Sequence, residues 1–146
     1  MDKIKRNVNR LKIIKRRKLS DIANAAEISG GKIYITSKTP SHSIEHEKGH
    51  YALGHNVSGY PTQARTYIKE EIEANLYAYK RTGQPKGLYQ RLLGIFVEVR
   101  DNYNVKPEYI LDYMKEYLNR FDVPDQWKKD YIKVVVAYRK SKRKKV

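Results

Sequence analysis

From residue 61 onward, apolar residues return every three or four positions, and the breaks between the runs carry proline or glycine. This spacing predicts a helix over 62–82 that stops near Thr82-Gly83, with Pro85 just beyond. A second helix is expected from Gly87 to about Tyr103, with Leu88, Leu92, Ile95, Phe96 and Val99 on one face. Pro107 opens a third over 107–121, striped by Tyr109, Ile110, Tyr113, Met114, Tyr117 and Leu118. Pro124 starts a fourth, with Trp127, Tyr131, Val134, Val135 and Tyr138 turned inward.

The first sixty residues read differently. Ile4, Val8, Leu11 and Ile14 keep helical steps among lysines and arginines, so a basic helix is expected within 1–25. Residues 26–37 hold two short β-capable runs joined by Gly30-Gly31, the signature of a hairpin, because a two-residue turn needs the positive φ that glycine supplies. Pro40 suits the opening of a helix running to about His55. The expected class is therefore α+β: a mainly helical domain with a small β-hairpin or sheet before that helix and a helical C-terminal half. No linker or repeat splits the chain, so 1–146 is expected to be one domain. Its parts would be the basic helix (1–25), a core (26–82), C-terminal helices (84–138) and a basic tail (139–146).

Charge changes this picture at the ends. The net charge is +15, and nine Lys/Arg fall in residues 3–18 and six more in 139–145, leaving a nearly neutral middle. Ends of this kind are attracted to polyanions. Lys15, Arg16, Arg17 and Lys18, with Lys142, Arg143, Lys144 and Lys145, are the candidate nucleic-acid contacts. The plainer alternative is that they are solvated ends. The chain has no cysteine, which excludes disulfides, thiolate metal sites and cysteine nucleophiles. No apolar run approaches the ~18 residues of a membrane span, and the N-terminus lacks the apolar stretch of a secretory signal, so a cytoplasmic protein with no membrane partner is expected.

The chemistry gathers in one place. All four histidines (His42, His46, His50 and His55) fall within residues 42–55, and His46-Glu47-Lys48-Gly49-His50 is an H-E-x-x-H. On a helix, residues i and i+4 share a face, so both imidazoles reach one ion while Glu47 stands beside them as the base for an attacking water. Zinc requires a further protein ligand beyond two histidines. Glu71 is the choice, from the helix that follows, because Asn75 one turn on can accept from the outer N–H of a liganding histidine. Ala74 is small enough to let two helices approach. Glu70 and Glu73 point elsewhere on an ideal helix and read as surface charges; all three together as a solvated acidic face is the alternative. His42 reads as an exposed residue near the helix start or a nitrogen close to the metal, and His55 is off the shared face. Tyr51, Tyr60, Tyr77 and His55 stay open as oxyanion donors, although with thirteen tyrosines any one is more often packing.

H-E-x-G-H followed after about twenty residues by E-x-x-A-N resembles the gluzincin pattern, and more narrowly the ImmA/IrrE-type zinc metallopeptidases. The segment Glu71-Ile72-Glu73-Ala74-Asn75-Leu76-Tyr77-Ala78 matches that family's E-x-E-A-N-x-F-A with Tyr77 in place of Phe. The resemblance covers residues 26–80 or so. It implies a zincin-like core, zinc held by His46, His50 and Glu71, Glu47 as general base, and an extended protein segment as substrate, such as one in a transcriptional regulator of a mobile element. Lys48 departs from the pattern, since an apolar residue is common there. Two other classes compete with a metallo-endopeptidase. One is a DNA-binding or regulatory protein whose zinc is structural or vestigial, and the other is a small helical domain without metal.

Overall fold

The structure is a computed structural model that describes residues 12–15, 27–29, 32–35, 39–55, 63–83 and 88–144. Among these residues, three short strands and five helices follow one another: β1 (Lys12–Lys15), β2 (Glu27–Ser29), β3 (Lys32–Ile35), α1 (Ser41–Ala52), α2 (Ala64–Thr82), α3 (Leu88–Asn102), α4 (Pro107–Arg120) and α5 (Asp125–Lys144). No helix among them is long and apolar enough to cross a membrane.

The expected α+β class is corrected to mainly helical. No strand exceeds 4 residues, whereas the helices run from 12 to 20. The strands pair in the order β1-β3-β2, β1 parallel and β2 antiparallel to β3. A sheet of that size cannot bury a core of its own. The Gly30-Gly31 turn lies outside the described residues. The basic helix expected in 1–25 is also corrected where it is described, because Lys12–Lys15 is strand. Ile13 and Ile14 are adjacent β-branched residues that favour extended backbone, and pairing with β3 outweighs a stripe of four apolar positions. The rest of that segment, with Arg16, Arg17 and Lys18, lies outside the described residues.

The chain forms two compact units: 1–61 with 73–85, and 62–72 with 86–146. In the first, α1 packs on β3. Among the described residues, those buried there are Ile35, Ala52, Ala74 and Ala78, with His42, His46, Gly49 and Asn75. In the second, α3 packs against α4 and α5, and these two against each other. Leu88, Leu92, Ile95, Phe96 and Val99 are buried along α3 as their spacing predicts. Ile110, Leu111, Met114, Tyr117 and Leu118 follow on α4, then Trp127 and Val134 on α5. Tyr109 departs from its predicted stripe and is 54% exposed. Within this unit Arg65 donates from Nε to the Tyr117 hydroxyl (2.9 Å) and pairs through Nη2 with Glu116. The Tyr131 hydroxyl donates to the Leu111 carbonyl at 2.8 Å, tying α5 to α4.

Candidate metal centre

Helix α1 carries the H-E-x-x-H motif, and its two ends decide what the motif can do. Pro40, in extended backbone (φ −62°, ψ 146°), precedes the first turn and accepts from the N–H groups of Ser43 and Ile44. At the other end the helix stops at Ala52 rather than running to His55. Gly54 takes φ +74°, a left-handed conformation that glycine adopts without steric cost. Its N–H bonds to Tyr51 O (3.2 Å) and the His55 N–H to His50 O (2.9 Å), the paired closure of a Schellman turn. The chain thereby doubles back and sets His55 beside His50.

His46 and His50 project from one face of α1, with their Nε2 atoms 3.1 Å apart. One ligand atom from each of His46, His50 and Glu71 lies within 4.8 Å of the other two, so this group can hold a metal ion. Two nitrogens each ~2.05 Å from one tetrahedral zinc would stand roughly 3.3 Å apart, close to the spacing seen. Two imidazoles and a carboxylate are donors that zinc accepts, and the set contains no soft sulfur. Glu47 follows His46 directly and is half-buried.

The surroundings hold the rings in place. His46 Nδ1 donates to Asn75 Oδ1 (3.2 Å), which also accepts from His42 Nε2 (3.2 Å). Because an amide oxygen only accepts, His46 must carry its hydrogen on Nδ1 in this bond and keep Nε2 as the lone-pair nitrogen. Thr82 Oγ1 donates to Ala78 O at 2.8 Å and lies 3.5 Å from His42 Nδ1. The close approach that lets Asn75 reach α1 depends on Gly49. A Cβ there would stand 3.0–3.1 Å from Cβ, Cγ and Cδ1 of Tyr77, inside normal contact.

Several placements differ from expectation. His42 is buried at 7% exposure instead of exposed near the helix start, because Asn75 gives its ring a partner. His55 adjoins His50 with Nδ1 to Nδ1 at 2.9 Å, and its Nε2 is 3.6 Å from Glu73 Oε1. Glu73 therefore faces this cluster as well as solvent. The signal for both was Gly54, which ends α1 early and turns the chain. Lys48 pairs with Glu45 at 3.3 Å, and Arg81 stands 3.5 Å from the same carboxylate and 4.8 Å over the Tyr77 ring. Of the oxyanion candidates, Tyr51 is half-buried, Tyr60 lies outside the described residues, and the Tyr77 hydroxyl is buried with no hydrogen-bond partner among the described residues.

The basic tail emerges from α5, where Arg139, Lys140, Lys142 and Arg143 are exposed. Lys142 is occupied by Glu108 at 3.1 Å. The side chains of Lys15 and Lys144 and the whole of Lys145 fall outside what is described. Comparison with known proteins returns no matching family model, no matching curated protein and no matching solved structure.

Proposed function

We propose that this protein is a zinc-dependent metallo-endopeptidase that hydrolyses a peptide bond in an extended protein segment. The observation that carries the reading is the convergence of one ligand atom each from His46, His50 and Glu71, with Glu47 adjacent in the same helix. The resemblance of the H-E-x-G-H and E-x-x-A-N segments to the ImmA/IrrE-type metallopeptidases supports the same reading, and it suggests a transcriptional regulator as substrate.

In this reading His46, His50 and Glu71 hold the zinc. When bound, the ion acts as a Lewis acid that polarises the scissile carbonyl and acidifies water at neutral pH. Glu47 takes the proton from the attacking water and later delivers it to the leaving amine. Asn75 keeps His46 turned so that Nε2 faces the ion. Glu47→Gln keeps the metal ligands and removes the base. Zinc-loaded parent and variant, each incubated with a proteome-derived peptide library, should differ in new peptide termini read by mass spectrometry. The expected loss is about 10²–10⁴-fold in rate. Equal cleavage by the variant, or none by the parent, overturns the assignment.

A further inference from the structure

We infer that His55 and Glu73 are positioning residues that fix the tautomer of His50, so that its ring presents Nε2 to a metal ion. The inference rests on the metal centre described above and adds two residues that its ligand set does not include.

A neutral imidazole has one N–H, and the nitrogen that keeps the hydrogen cannot bind metal. His50 Nδ1 and His55 Nδ1 are 2.9 Å apart, so one of the two donates and the other accepts. Were His55 the donor, its Nε2 would turn a lone pair toward the Glu73 carboxylate 3.6 Å away. His50 would then carry hydrogen on Nε2, the atom that faces His46 Nε2 at 3.1 Å. That arrangement sets a lone pair against a negative charge and blocks the ligand position at once.

The opposite assignment meets neither difficulty; it leaves two Nε2 lone pairs facing each other at 3.1 Å, an arrangement that a shared metal cation stabilises. His55 keeps hydrogen on Nε2 toward Glu73, accepts at Nδ1, and receives the N–H of His50 Nδ1. Both histidines of the motif then donate outward from Nδ1, His46 to an amide oxygen and His50 to His55. The second arm has an acidic anchor, and its geometry is built into the backbone. The turn at Gly54 bonds the His55 N–H to His50 O at 2.9 Å and holds the two residues in register. The His55 side chain is 6% exposed, which shields the contact from competing water.

The test uses the full chain and Zn²⁺ affinity measured by competition with a chelator, with ¹⁵N NMR of the zinc-loaded protein reporting the hydrogen on each His50 nitrogen. His55→Ala should weaken zinc about 10–100-fold. His55→Asn places Oδ1 where Nδ1 stands and should recover binding to within a few-fold of the parent. Glu73→Ala should weaken binding too, and because the residues act in series its effect should not add to that of His55→Ala. The parent spectrum should show hydrogen on His50 Nδ1. Should His55→Ala fail to fold, as metal-free thermal melts would reveal, His55→Asn and Glu73→Ala carry the comparison alone. Parental affinity in His55→Ala or Glu73→Ala, no recovery in His55→Asn, or additive losses would each overturn the inference. These readouts need no hydrolysis, so their failure is separate from a failure of the peptidase reading; a parent that binds no zinc overturns the metal centre itself.

Discussion

Among the described residues, the two units bury different kinds of side chain. Of these residues, the first unit buries Ile35, three alanines, a glycine, two histidines and an asparagine, while the second buries a tryptophan, a phenylalanine, a tyrosine and a dozen or so aliphatic residues, with Asp130 as its buried acid. Large apolar residues stabilise by leaving water, at about 25 cal/mol per Å², and need no particular orientation toward one another. Buried imidazole and amide groups cost free energy unless each finds a partner, so they come with a defined geometry. The large apolar set is thus organised for stability, and the buried histidines with Asn75 for placing nitrogens around a point. Substitutions should separate these two roles, stability losses following the apolar set and metal-affinity losses following the polar one.

The largest effect belongs to the apolar set. Trp127 is 1% exposed near the start of α5. Trp127→Ala should lower unfolding stability by about 3–5 kcal/mol, read from the midpoint of urea denaturation. A loss below 1 kcal/mol would mean that the α3–α4–α5 packing does not carry the stability of this unit.

Asn75→Ala probes the polar set and should act mainly on metal. It removes the acceptor shared by His42 and His46, each 3.2 Å away. Zinc affinity should fall about 10–100-fold. The stability of the metal-free protein should fall by about 1–3 kcal/mol, because two buried donors lose their acceptor. Zinc affinity equal to that of the parent would show that His46 does not need Asn75 to orient it, and the contrast between the units would then rest on His50 and His55 alone.

What could be read from the chain follows the same division. Helices α3 to α5 were legible because large apolar residues at steps of three and four, punctuated by Gly83, Pro107 and Pro124, admit one reading. Even there the edge of a stripe was not legible. At the start of α4 the buried pair is Ile110 and Leu111, and Tyr109, whose ring tolerates water at its polar tip, lies outside it. The H-E-x-x-H pair and Glu71 were legible because metal chemistry restricts both residue type and spacing. His42 and His55 were not, since each depends on a contact that helical phase does not encode. His42 needs Asn75 from another helix, and His55 needs α1 to end at Ala52 through the turn at Gly54. The strand at Lys12–Lys15 was hidden for a related reason. Its partner is twenty residues away, and four apolar residues at helical spacing carried the local reading.

The smallest effect lies on the surface of the second unit and tests how little charge contributes there. Glu108, in the first turn of α4, accepts from the Tyr138 hydroxyl (2.9 Å) and from Lys142 Nζ (3.1 Å). Its own backbone N–H, then Tyr138, then Lys142 hold its carboxyl below the ordinary 4.5. Lys142 is raised above 10.5, chiefly by its hydrogen bond to Glu108. Burial, followed by the bond to Glu108, raises Tyr138 above 10.0. A depressed carboxyl adds stability that is full above its ordinary ionisation range and fades as pH falls through the folded value. The raised cation and phenol add stability that is full below their ordinary values and fades as pH climbs through the folded ones. The contribution should therefore be greatest between about pH 5 and 9.5 and decline on both sides. Glu108→Gln should flatten the acid limb of the melting temperature against pH at low ionic strength. At high salt it should make little difference, because exposed pairs are screened. It should leave zinc affinity untouched. An unchanged acid limb would show that the Glu108 cluster does not stabilise the fold, and a change in zinc affinity would break the separation of surface charge from metal binding.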